Sequence, residues 1–364
     1  AGIKFVDMYG VPYEDDEKWD AFLDQLTIDD MVSILDDSFS TRGVVSVAKP
    51  EQKNNDGPDG AQQSYIYGDK RGATCYPVET VLSSTWNLEL AAARGRFLGE
   101  DNLYSGATQM WSPASNIHRT PYSGRNYEYY SEDAYLSGVM AAETARGAIN
   151  NGLNVYVKHF AVNDQETHRE QLSTWLTEQA LREIYLRPFE ISVKRGKANG
   201  MMSSFNRLGS QWTGSNHALM TDILRTEWGF RGAVITDYYS GFMNLDRGLR
   251  GGNDLWLTGG GSAPGGWNGN DATMVACAQT SAKNILFARC NSYYLANTHD
   301  KSEDVIVSDV QTVVEVEAPF PAWIFIVVGI DVVAVAGIVV WTIFLFKKPK
   351  AKPEKEKRFR KYSK

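Results

Sequence analysis

The sequence predicts an α/β fold, a parallel sheet with helices packed outside it, followed by a single apolar helix near the C-terminal end. Three observations carry this. Short apolar runs alternate with amphipathic stretches from residue 19 to about residue 295, which is the signature of repeated strand–helix units. That region is close in length to the roughly 250 residues typical of a closed eight-stranded barrel, and the length favours a barrel over an open sheet where the pattern alone does not decide. Residues 322–346 (AWIFIVVGIDVVAVAGIVVWTIFLF) form an apolar stretch with one charge, Asp331, long enough to cross a bilayer with some tilt.

Residues 1–18 (AGIKFVDMYGVPYEDDEK) are mixed and turn-rich and read as a lead-in or linker. Trp19, Phe22, Leu23 and Leu26 then recur at helical spacing and predict a helix over 19–36. Strands are predicted near 107–111, 154–158, 200–205 and 233–237, and helices near 132–149, 175–194, 217–228 and 272–295. Ser131 stands at one helix start, Asn216 is placed to cap HALMTDILRTEW, and Gly229 ends it. The barrel region is set at 19–298, the acidic piece 299–321 reads as a stalk, and 347–364 as a basic tail.

A chain of 364 residues with 43% hydrophobic content supports a sizeable core. Its formal charge of −7 conceals a split. Residues 347–364 hold ten Lys or Arg against two Glu, net +8, which leaves −15 on the remainder. An acidic body argues against nucleic acid as a partner. Cys277 and Cys290 lie in one helical stretch, about 20 Å apart and too far for a disulfide with each other; only a bond to Cys75 remains open, and all three cysteines are read as free core thiols. The five histidines have no ligand spacing, so no metal is expected, and nothing calls for a cofactor. The basic residues after the apolar run place the C-terminus in the cytoplasm and everything before it outside, a single-pass protein of the cell membrane. An exported barrel needs a leader, and residues 1–30 have no basic region followed by an apolar one. The expectation is a longer precursor whose front part lies outside this sequence.

Two motifs suggest chemistry. In GFRGAVITDYYSG (229–241) the buried run Ala233–Val234–Ile235 delivers Asp237 at its end, and in parallel α/β folds the carboxyl ends of strands face the ligand. Helix caps and turns compete for such an Asp. In NVYVKHFAVNDQETHRE (154–170) the apolar run Val155, Val157 delivers Lys158 and His159 together, and Arg169 follows eleven residues later. Local ion pairs of Arg125 with Glu128 or Glu132, and of Arg169 with Glu166 or Glu170, are the bland reading of those cations.

Together with NDGPDG (55–60), SGRNYEYYSEDAYLSG (123–138) and MMSSFNRLGSQWTGSNHALMTDILRTEWGFRG (201–232), these motifs resemble, in order, the barrel domain of glycoside hydrolase family 3. The resemblance covers roughly residues 20–295 and implies a TIM-like (β/α)8 barrel, followed here by the apolar helix. It implies Asp237 as the nucleophile of a retaining β-glycosidase, a β-glucosidase acting on the non-reducing ends of oligosaccharides. Asp56, Arg125, Lys158, His159 and Arg169 would hold the sugar. Three positions depart from the family pattern: Gln62 stands where an Arg is usual, Phe205 where a Tyr is common, and Tyr238 where a Trp is common. Phe205 and Tyr238 are still placed beside the substrate. Of Tyr238, Trp212, Trp256 and Trp267 as a stacking wall, Tyr238 is favoured because it adjoins Asp237. The family commonly takes its general acid/base from a second domain. The resemblance suggests the subgroup with that domain before the barrel, outside this chain. The alternative is a catalytically silent carbohydrate-binding surface receptor.

Overall fold

The computed structural model describes residues 1–62, 74–259, 265–292 and 323–347. Eight strands close into a barrel in the order β1 (Asp36–Asp37), β11 (Leu255–Leu257), β10 (Ala233–Tyr238), β7 (Gly200–Ser203), β5 (Asn154–Phe160), β4 (Ala107–Trp111), β3 (Gln52–Asp56) and β2 (Ser40–Thr41). A separate small sheet joins β6 (Ser173–Thr174), β8 (Arg207–Leu208) and β9 (Gln211–Trp212).

The closed barrel matches expectation, but it is not eight identical strand–helix repeats. β2 runs antiparallel to both β1 and β3. Only Ser38 and Phe39 separate β1 from β2, with Phe39 at φ 65°. A two-residue link returns the chain antiparallel, since a parallel return needs a crossover of about a dozen residues or more.

The predicted strands at 107–111, 154–158, 200–205 and 233–237 are present as β4, β5, β7 and β10. Every residue of β5 is buried, which suits its apolar run and its place between β4 and β7. The predicted helix 19–36 is instead two, Asp16–Leu23 and Ile28–Ser33, followed directly by β1. Thr27 and Asp30 explain the break: each side chain accepts a hydrogen bond from the other's backbone N–H, restarting the helix. Asp133, rather than Ser131, caps helix Ala134–Asn150, whereas Asn216 does accept from the Leu219 N–H. The stretch 175–194 is broken into Glu178–Ala180, a π-helical Leu181–Tyr185 and Arg187–Lys194.

The last barrel helix, Ala272–Cys290, closes the body. Phe5 and Met8 are fully buried in one cluster with Leu286 and Cys290, so the lead-in packs as part of the barrel unit. Arg289, completely buried, donates to Asn54 on β3 and to Asp37 on β1. Helices Leu88–Ser105 and Ala134–Asn150 meet through glycines: a Cβ at Gly95 would strike the Thr144 carbonyl, and one at Gly147 the Ala92 carbonyl. The three cysteines are free, but Cys75 is exposed and Cys277 only half-buried, so Cys290 alone is a core thiol.

The second unit contains helix Trp323–Phe346, whose described apolar side chains face outward. By length and composition it is able to cross a membrane. The stalk, 299–321, and nearly all of the basic tail lie outside the described residues.

Candidate active site

The sequence-predicted residues converge at the carboxyl ends of the strands. Asp56 ends β3, Lys158 and His159 sit near the end of β5, and Asp237 is the penultimate residue of β10. Arg125 comes from the loop after β4, Arg169 from the loop after β5, and Phe205 follows β7. At the other end of β10, Arg225 donates to the carbonyls of Gly232 and Gly252 and pairs with Asp254, which also accepts from the Val234 N–H and from Asn284. This clamp fixes the strand that presents Asp237.

Three cations face four carboxylates. Lys158 Nζ donates to Asp56 Oδ1 at 2.8 Å and lies 3.8 Å from Glu128. Arg125 Nε donates to Glu128 and its guanidinium lies 3.7 Å from Glu166. Arg169 pairs with Glu166 at 2.9 Å. The local ion pairs of Arg125 with Glu128 and Arg169 with Glu166 therefore exist, and they sit inside the cluster. Burial opposes the charge on Lys158, but Asp56 and Glu128 outweigh it and hold its pKa above the usual lysine value.

Asp237 is the carboxylate left over. Its Oδ1 accepts from the Tyr238 backbone N–H at 2.7 Å, while Oδ2 is buried with no hydrogen-bond partner among the described residues. The nearest cationic candidate for Oδ2, His159 Nε2, is 3.7 Å away. Burial raises the Asp237 pKa above the ordinary carboxylate range, against the pull of Arg169, Arg125 and Lys158. A buried anion with one tethered and one open oxygen is shaped for nucleophilic attack, since the open lone pairs are not spent on donors.

His159 is neutral at physiological pH, because burial and then Arg125, Lys158 and Arg169 push its pKa well below 6.5. Asn116 holds its backbone from both sides, accepting from the N–H and donating to the carbonyl. Tyr129 lies 3.3 Å from Nδ1, and Asn163 donates to that hydroxyl and to Glu166.

Phe205 is only 4% exposed and packs with Trp212 and Met243. The Arg169 guanidinium lies 4.3 Å from its ring centroid, so Phe205 reaches the site as a floor beneath Arg169. Trp212 and Trp256 are also core residues. Tyr238 is 51% exposed and lies against Gly259, where a Cβ would collide with its ring. An adjoining pocket of about 360 Å3 is lined by Asp56, Gln62, Cys75, Arg125, Glu128 and Lys158, among others.

A family model described as the glycosyl hydrolase family 3 N-terminal domain matches residues 64–247. The chain belongs to glycosyl hydrolase family 3. A β-glucosidase of Rhizobium radiobacter is 36% identical over 264 residues, 71% of this chain and 31% of that protein. An exo-α-(1→6)-L-arabinopyranosidase of Bifidobacterium longum is 37% identical over 222 residues, 58% of this chain and 29% of that one. Among solved structures, β-glucosidase 3B from Thermotoga neapolitana in complex with glucose aligns with a TM-score of 0.69 at 34% identity, covering 78% of this chain and 44% of that one. The chain thus spans about a third of the length of the curated relatives it matches.

Tyr129, Asn116 and Asn163 were not singled out as site residues by sequence. Tyr129 and Asn163 stand within the quoted motifs RNYEYY and KHFAVND, and position in those motifs was the available signal. Asn116 carried no signal, being a loop residue after β4.

Proposed function

We propose that this barrel is the nucleophile-bearing domain of a retaining β-glycosidase, a β-glucosidase by analogy with its relatives, which releases sugars from the non-reducing ends of oligosaccharides. The single observation that carries this is Asp237, with Oδ1 tied to a backbone N–H and Oδ2 buried and open among three cations. Asp237 attacks the anomeric carbon and forms a glycosyl ester, which water then hydrolyses. Asp56, Lys158, Arg125, His159 and Arg169 bind the sugar hydroxyls, Tyr238 covers one sugar face, and Phe205 supports Arg169. Hydrogen bonds beside the reacting carbon tighten as the oxocarbenium-like state forms.

The general acid/base comes from outside the described barrel. Glu128 and Glu166 each already accept from a guanidinium, and an ion-paired carboxylate is a poor proton donor. On this reading a second domain, placed ahead of the barrel, supplies it. That same lack of a proton donor favours, as the second reading, a silent carbohydrate-binding receptor. The helix within 322–346 anchors the protein as a single-pass cell-membrane protein, barrel outside and tail inside. A 2-deoxy-2-fluoro glycoside with a good leaving group separates the two readings: the glycosidase acquires a covalent label on the peptide holding Asp237, and the receptor acquires none.

A further inference from the structure

A second pocket, of about 590 Å3, lies between the small sheet and the segment that follows Asp237. Its lining includes Arg207, Gln211, Ser215, Phe242, Asn244 and Arg247. We propose that this pocket is an additional carbohydrate subsite for a sugar bearing a carboxylate, a uronate unit. The inference rests on the glycosidase reading only for the polyol part of the ligand.

Charge is the first support. Among the described residues neither Arg207 nor Arg247 has a carboxylate partner, although the chain before the basic tail carries −15. Among the neighbouring acids, Glu170 offers Arg207 only its backbone carbonyl, at 3.5 Å, and accepts on its carboxylate from the Ser240 hydroxyl. Asp246 and Asp271 both bind Arg250, at 2.7 and 2.8 Å, and Asp222 lies 3.4 Å from His217. Two unneutralised guanidinium groups at one pocket suit a planar carboxylate, which accepts paired N–H donors.

The remaining lining suits a sugar ring. Ser210, Gln211, Ser215 and Asn244 bring hydroxyl and amide groups to the pocket, and Phe242 is half-buried with the Arg207 guanidinium 5.2 Å from its ring centroid. Small-ligand pockets commonly combine such an apolar wall with a few placed polar groups, within about 300–1,000 Å3. The pocket is coupled to the catalytic one by contact: Phe242 stands 6.5 Å from Phe205, which carries Arg169.

The test is calorimetric titration of the full chain, held in a sugar-free neutral detergent, with a disaccharide ending in glucuronate and with its carboxyl-reduced counterpart. The glucuronate sugar is expected to bind about ten- to a hundredfold more tightly than the neutral one, the effect of a charge-assisted hydrogen bond, and less tightly as salt is raised. The double variant Arg207→Gln, Arg247→Gln should lose that preference while Asp237→Asn keeps it. Equal affinity for both sugars, an unchanged preference in the double variant, or competition by acetate at the same concentration as the sugar would each overturn the proposal. Loss of the preference in Asp237→Asn would assign the uronate to the catalytic pocket and overturn it too. Labelling at Asp237 by the fluoro glycoside, measured on the double variant, reports separately on the glycosidase reading.

Discussion

Arg125 donates a guanidinium N–H to His159 Nε2 at 2.9 Å, and this bond decides which imidazole nitrogen carries the proton. Nε2 is the acceptor, so the proton resides on Nδ1, where Tyr129 and Asn116 supply oxygen partners at 3.3 and 3.4 Å. His159 is therefore no ion-pair partner for Asp237 and holds its shape as a neutral ring. We expect 15N shifts to report one neutral tautomer from pH 8 down through pH 6.5. The linkage sign follows. The folded pKa is depressed below that of the unfolded chain, so below pH 6.5 the unfolded state binds more protons, and stability falls with falling pH. While only the unfolded chain titrates, this group contributes a slope of about 1.4 kcal/mol per pH unit. A titration of His159 near 6.5 would refute the assignment.

Lys158 and Arg169 should separate under mutation. Arg169 is about a quarter exposed and forms its ion pair with one carboxylate, Glu166. Arg169→Ala should stay folded and lose about ten- to a hundredfold in kcat/KM, the worth of one charge-assisted hydrogen bond. Lys158 is 4% exposed and serves both Asp56 and Glu128. Its removal leaves Asp56, about a quarter exposed, without its cation and Glu128 with Arg125 alone, which costs about 1–3 kcal/mol. Lys158→Ala should therefore lose stability as well as activity, and adding Asp56→Asn should restore part of the stability but none of the rate. Equal Tm values for the two single variants would contradict this.

Asp237→Asn should abolish turnover and raise the Tm at neutral pH. Burial raises the folded pKa of Asp237, so its contribution to stability is greatest at acid pH and is lost as the pH rises through that folded value. The amide removes this loss. A scan of Tm against pH should show the variant gaining over the wild type as the pH rises, and a variant less stable at every pH would mean that the three cations dominate over burial.

Much of this site was legible because single motifs carry it. Asp237 and the Lys158–His159 pair each close an apolar run, and a buried strand has to deliver its last polar residue to the mouth. The local pairs of Arg125 with Glu128 and Arg169 with Glu166 were legible from spacing, but the long-range partnerships were not. Asp56 and Lys158 are 102 residues apart and meet through the order of β3, β4 and β5 around the barrel, which no local pattern encodes. β3 itself was missed because its sequence, QKNND, is polar: its Asn54 bonds Asp37 and Arg289 in place of apolar packing. The packing of Phe205 with Trp212 and Met243 was likewise not legible, because its motif position carries no sign of burial.

Helix Trp323–Phe346 has 24 residues, about 36 Å at 1.5 Å per residue, enough for a hydrocarbon core of about 30 Å. With net +8 following it, the basic side should remain in the cytoplasm. Protease added to intact cells should digest the barrel and spare an epitope at the C-terminus. The reverse pattern would overturn the topology.

The chain by itself should discriminate sharply between leaving groups. Attack by Asp237 needs no outside help, but expulsion of a sugar alkoxide needs a proton, and Glu128 and Glu166 are bound to Arg125 and Arg169. An aryl glycoside whose phenol leaves as a stable anion bypasses that need. The purified 364-residue chain should then release dinitrophenol slowly from its β-glucoside while leaving cellobiose intact. Free azide, a nucleophile that requires no general base, should accelerate the second step by intercepting the glycosyl-Asp237 ester. Brisk cellobiose hydrolysis would place the acid inside the barrel, with Glu170, which accepts from Ser240 three residues after Asp237, the first residue to substitute.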